Sequence, residues 1–231
     1  MRRWISLLAL FAFAGGAWAQ EPAAQTASER YGACQAAANG GDRRIDEICD
    51  LVDDLNGQLR SYDGARHPRR FADLQQALGT ALLVIGDLGD ERALRDSISA
   101  EEFAARHYSR ERAPSRWAGI QLNIAGALVT LGDMEDPTAP QEAVPLLLAA
   151  IDAIRSNEQP VLWASLQSTL ATAYVQTSDN GRDADALRNA IGALQAALQV
   201  YRRPSFTEER ARTQARLEEL LSALGGRQDR S

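Results

Sequence analysis

The sequence predicts an all-α fold, an α-solenoid of stacked helical hairpins closed by a C-terminal capping helix. One segment recurs at a fixed period along the chain. Within each copy the apolar residues fall at three- and four-residue intervals, the signature of a one-sided helix. No run of alternating apolar and polar residues marks a strand, and no low-complexity tract interrupts the pattern.

The repeat is carried by Phe71–Leu78, Trp117–Ile124 and Trp163–Leu170. A glutamine recurs at Gln75, Gln121, Gln167 and, less cleanly, Gln214, at intervals of 46, 46 and 47 residues. Pro68, Pro114 and Pro160 lead the first three copies by three residues. Gly86, Gly132, Ser178 and Gly225 follow each glutamine by eleven. The glutamines read best as amides that bridge the backbone of successive hairpins, because buried polar groups need partners.

Taken in chain order, residues 1–19 read as a secretory signal peptide. Arg2 and Arg3 form its basic start, Ile5–Ala14 its apolar core, and Ala17-Trp18-Ala19 its cleavage site. The apolar run is short for a membrane span, so the product is expected in the periplasm or outside the cell, without membrane insertion after cleavage. Residues 20–66 predict an N-terminal helix pair, Ser28–Ala38 and Asp42–Tyr62, with Ile45, Ile48, Val52, Leu55 and Leu59 as the apolar stripe of the second. Cys34 and Cys49 are the only cysteines. In an oxidising compartment they predict a disulfide between those two helices, the other reading being two separate buried thiols.

Residues 67–224 predict three hairpins and a cap. In the second hairpin Trp117, Ile120, Ile124, Leu128 and Leu131 share one helical face, with Pro114 in the first turn. Gly132 is expected to end that helix by taking positive φ. The partner helix runs through Ala143, Leu147 and Ile151, and the third copy repeats it through Ile191, Leu194 and Leu198. Such hairpins bury their apolar faces only by stacking on neighbours. Thr207–Leu224 carries charges between its apolar positions and suits a capping helix, and residues 225–231 are read as a frayed tail.

The stretch Leu122-Asn123-Ile124-Ala125-Gly126-Ala127-Leu128, followed by Leu131-Gly132-Asp133, resembles the first helix of a tetratricopeptide repeat. Leu78-Gly79, Leu82 and Gly86-Asp87 match the same pattern, and Leu170-Ala171, Tyr174 and Ser178-Asp179 match it with Gly replaced. The second helices resemble the family's small-residue face through Ala143, Leu147 and Ala150, and through Ala190, Leu194 and Ala197. The first hairpin departs from it, with Ser97 and Glu101 in those places. The period exceeds the family's usual 34 by about twelve residues, as in a long-repeat, exported bacterial branch.

The resemblance implies that first helices line a concave groove for a protein or peptide partner. Carried over by position, that groove would hold Asp73, Gln76, Thr80 and Leu83, then Leu122, Gly126 and Val129, then Ser165, Ser168, Thr172 and Val175. The chain has no Lys, so the lysine-based clamp that holds a peptide carboxylate in some relatives is not expected. Another segment of the same chain is the alternative occupant.

Composition narrows the function classes. Without Arg2 and Arg3, 23 basic residues face 31 acidic ones, a net charge of −8 that disfavours nucleic-acid binding. Turns inside hairpins are acidic (Asp87, Asp90, Asp133, Asp136, Asp183) and those between hairpins lean basic (Arg69, Arg110, Arg116). They form either two oppositely charged rims or plain solvated edges with acids capping helices. No nucleophile elbow, phosphate loop or zinc-ligand spacing is present, and His67 and His107 stand apart. No catalytic residue, metal or cofactor is therefore expected. The sequence favours a non-catalytic interaction scaffold or adaptor of the bacterial envelope. A chaperone-like or regulatory subunit holding a secreted client, and a hydrolase built from dispersed carboxylates, are the rival readings.

Overall fold

The computed structural model describes residues 25–39, 41–134, 136–178 and 183–228, and these contain helices but no strand. The expected signal, residues 1–19, and positions 229–231 of the expected tail lie outside them. Ten α-helices follow in order: α1 (Ala27–Arg30), α2 (Gly32–Ala38), α3 (Arg43–Ser61), α4 (Pro68–Gly86), α5 (Glu91–His107), α6 (Pro114–Met134), α7 (Ala139–Ala153), α8 (Pro160–Thr177), α9 (Ala184–Tyr201) and α10 (Thr207–Gln228). No described helix is long and apolar enough to cross a membrane.

The 46-residue period is visible in the architecture. Helices α4, α6 and α8 begin at Pro68, Pro114 and Pro160, where the missing N–H of proline costs no helical hydrogen bond. Each packs along its successor, giving the pairs α4/α5, α6/α7 and α8/α9. Each second helix then packs on the next first helix, and α9 on α10. The first helices also touch one another, α4 with α6 and α6 with α8.

These first-helix contacts keep one register. Arg116 Nη2 lies 2.5 Å from Asp73 Oδ1, Asn123 donates to Thr80 Oγ1 at 3.1 Å, and Thr130 donates to Asp87 at 3.1 Å. Gln176 of α8 donates to Asp133 of α6 at 2.6 Å. In every case the partners are 43 residues apart. On α4 and on α6 the contacting residues recur every seven positions, two helical turns, which keeps them on one face.

The core runs through these pairs. Ile120, Leu131, Leu147, Leu166, Leu187 and Leu194 are buried in one continuous cluster that reaches Leu220 of α10. A second cluster joins Cys34, Val52 and Leu55 to Leu74, Leu82 and Ile85 of α4. Cys34 and Cys49 form the expected disulfide, which ties α2 to α3 with Cα atoms 5.8 Å apart.

Three local expectations are corrected. The first is Ser28–Ala38 as one helix, because Tyr31 is extended (φ −122°, ψ 129°) and separates α1 from α2. The break lets the buried Tyr31 donate to Asp96 on α5 and the Gly32 N–H donate to Asp90, both across the hairpin. Asp53 of α3 takes the Ala27 N–H, and the Thr26–Glu29 capping box starts α1. The second is Gly132, which lies inside α6 with no positive φ; among described glycines that conformation belongs to Gly89 (φ 100°). Gly132 is needed for close approach, since a Cβ there would stand 2.3 Å from Pro140 Cγ. One on Gly86 would stand 2.3 Å from Leu94 Cδ2. The third is the bridging role of Gln75, Gln121 and Gln167. Gln121 is buried, but the amide bonded to the backbone of the preceding hairpin is that of Gln176, which meets Val129 O at 3.0 Å as well as Asp133. The trace of α10 continues through residues 225–228 of the expected tail.

Candidate functional site

The expected groove residues all sit on first helices, but they do not form one open surface. Asp73, Gln76 and Thr80 of α4 line a cleft, described below. Leu83 lies next to Gly126, whose added Cβ would be 3.9 Å from Leu83 Cδ2, so these two mark the α4–α6 contact. Val129 is buried, and Leu83, Leu122 and Val175 pack against the main core. Ser165, Ser168 and Thr172 are half-buried along α8, with Thr172 Oγ1 bonded to Ser168 O at 3.3 Å.

The cleft, about 450 Å³, opens between α3 and α4 with Arg116 of α6 at one end. Its wall is apolar, made by Ile48 and Leu51 of α3 with Ala77, Ala81 and Val84 of α4. Leu51 and Val84 on this wall are 47% and 42% exposed. The polar end is a hydrogen-bonded network. Arg116 bonds Asp73, donates through Nε to Gln76 Oε1 at 2.8 Å, and stacks 4.1 Å above the Tyr108 ring. Tyr108 also donates its hydroxyl to Asp73, and burial together with this bond pushes its pKa up. Both contacts fall on Asp73 Oδ1, which is thus held between a cation and a phenol.

Beneath the cleft floor lies Glu101 of α5, a fully buried carboxyl. It stands where the later hairpins carry the core residues Leu147 and Leu194. Room for it comes from Gly79, where a Cβ would lie 2.6 Å from Glu101 Cγ. Ser97, the other departure in this hairpin, donates to Gly79 O at 2.7 Å and so accounts for its own burial. Glu101 Oε1 accepts from Asn123 Nδ2 at 2.6 Å and from Thr80 Oγ1 at 3.2 Å, while Oε2 meets no protein donor. Burial pushes this carboxyl up to about 7, against the pull of the Asn123 and Thr80 hydrogen bonds. Sequence reading marked Glu101 as a departure without locating it under the cleft; the facing Gly79 is the signal that it has space to turn inward.

The remaining candidates have structural partners. Trp117 and Trp163 pack against the main core. His67 stands at the start of α4, edge-on to Tyr62, and His107 ends α5, edge-on to Tyr108. Asp90 and Asp183 cap α5 and α9, and Asp136 binds Thr138 in the turn before α7, so several acids of the expected acidic edge serve as caps. Arg110 and Arg116 of the basic edge pair with Asp152 and Asp73. No family model, curated protein or solved structure matches this chain.

Proposed function

We propose that this chain is an exported, non-catalytic interaction scaffold, a tetratricopeptide-like α-solenoid whose row of first helices receives a protein partner in the bacterial envelope. The observation that carries the proposal is the constant 43-residue register along α4, α6 and α8. A stack built by translation presents the same helix face again and again, and such faces are what repeat proteins use to hold extended partners. The disulfide between α2 and α3 fits an oxidising compartment. No described helix could span a membrane, in keeping with a chain released after export.

The hydrolase reading would need two carboxylates facing a common space. Asp73 is engaged by Arg116 and Tyr108, and Glu101 is sealed beneath Thr80, so the binding reading has the better support. The test is recovery of the tagged chain from the periplasm, with mass spectrometry of what comes with it. One or more reproducible partners, lost when Thr172→Trp and Ser165→Trp obstruct α8, are expected. Recovery of no reproducible partner would overturn the scaffold reading.

A further inference from the structure

Among the described residues, the leading edge of the first-helix row has no first helix packed on it. α6 meets α4 through Arg116, Asn123 and Thr130. One 46-residue period earlier, the matching positions on α4 are Arg70, Ala77 and Val84. They mark the face on which a preceding first helix would lie. Among the described residues, the N-terminal helices α1 and α2 do not supply one. α1 and α2 turn toward α5 through Arg30–Asp96 and Gly32–Asp90, and make no contact with α4 comparable to that of α6. Ala77 and Val84 consequently stay exposed, and the apolar α3–α4 cleft lies along them.

The α3 side of this cleft is acidic, while Arg116 and the exposed Arg70 stand on its other side. On α3, Glu47 and Asp54 lie four residues before and three after Leu51, and so share its face; Asp50 is beside them. All three are exposed. Glu47 is paired only loosely with Arg43, at 3.5 Å between side chains 67% and 91% exposed, and Asp54 bonds the neutral Gln58. An apolar slot edged by three carboxylates suits an apolar stripe flanked by cations.

Resting on the binding reading above, we propose that the leading face of α4 docks an amphipathic α-helix of a partner protein. Its apolar stripe seats between Leu51 and Val84, and its Lys or Arg side chains lie along Glu47, Asp50 and Asp54. The incoming helix lies beside α4 as α4 lies beside α6, which extends the row by one helix in trans.

The test uses two synthetic peptides of about 18 residues, roughly five helical turns. Both carry the same leucine stripe, flanked by Lys in one and by Glu in the other. Their binding to the intact, disulfide-bonded chain is followed by fluorescence anisotropy. The Lys peptide is expected to bind, with an affinity that falls as salt rises. The double substitution Leu51→Asp/Val84→Asp alters only half-exposed side chains; it should leave the circular dichroism unchanged and weaken binding by about tenfold or more. Asp50→Lys/Asp54→Lys should weaken it and flatten the salt dependence.

Equal binding of the two peptides, failure of the Lys peptide to bind, or insensitivity to Leu51→Asp/Val84→Asp would each overturn the proposal. So would self-association of the chain that Val84→Asp abolishes, since it would assign the face to a second copy. Failure here is separable from failure of the scaffold reading. Periplasmic partners that persist with Leu51→Asp/Val84→Asp but are lost with Thr172→Trp would retain the scaffold and remove this site.

Discussion

Glu101 shows what one side chain does to a repeat that otherwise places leucine at its position. Its carboxyl is neutral when the folded chain is most comfortable, because burial outweighs the hydrogen bonds from Asn123 and Thr80. The folded state therefore keeps a proton up to about pH 7, whereas the unfolded chain releases it near the usual 4.5. The stabilisation from this group is complete below the unfolded value and is lost as pH rises through the folded one. From 4.5 to above 7 the loss amounts to roughly 3 kcal/mol. Urea denaturation at pH 5 and pH 8 should show it, and Glu101→Gln should remove most of the difference; an identical pH dependence in the two proteins would contradict this account. Glycines give a second contrast of sign. Gly132→Ala forces a Cβ against Pro140 and should destabilise by about 1–2 kcal/mol, while Gly119→Ala, with open space around it, should stabilise by about 0.5–1 kcal/mol. Thermal melts of both variants check the pair. The recurrence of Gly86 and Gly132 was legible in the sequence, but its reason was not. Helix-ending and close-packing glycines look alike until the neighbouring Pro140 is in place.

At the scale of helices, the 3.6-residue pattern and the repeated prolines placed the first turns of α4, α6 and α8, though not the end of α6. These signals are local, and local signals survive folding. The break at Tyr31 was not legible, because its causes, Asp90 and Asp96, lie more than fifty residues away. Gln121 misled for a similar reason. A conspicuous repeat of one residue type suggested a bridge, yet the bridging position faces the preceding helix at Gln176, and its counterpart in the previous copy is Thr130. The same chemistry is thus done by different residue types. The Cys34–Cys49 bond was expected from the pairing of α2 with α3 and is present. Since α2 has only seven residues and little core of its own, the bond should matter more than in a long hairpin. Replacing both cysteines by serine should lower stability by about 3 kcal/mol in the chain-entropy view. Hydrogen exchange should show faster amides in α1–α3 than in α6–α9; uniform acceleration, or none, would contradict that localisation.

Across the whole molecule, the central claim is that translation of one hairpin produces a row of first helices that receives a partner. The all-helical class and the 46-residue spacing of α4, α6 and α8 were readable before any coordinates. The surface of that row was only partly so: eleven positions were assigned by analogy, three of them line the cleft, and Val129 went into the core. The cleft itself arises where the repeat stops, at the α3–α4 junction, and a pattern found by self-similarity does not describe its own edge. Site-specific photo-crosslinking in the periplasm tests the claim most directly. A photoreactive residue is placed at Gly126, Ser165 or Thr172 on the first-helix row, and at Arg188 or Gln195 on the exposed side of α9. The account predicts a common adduct from the first-helix positions and none from α9. Adducts from Arg188 and Gln195 alone, or from no position, would contradict it.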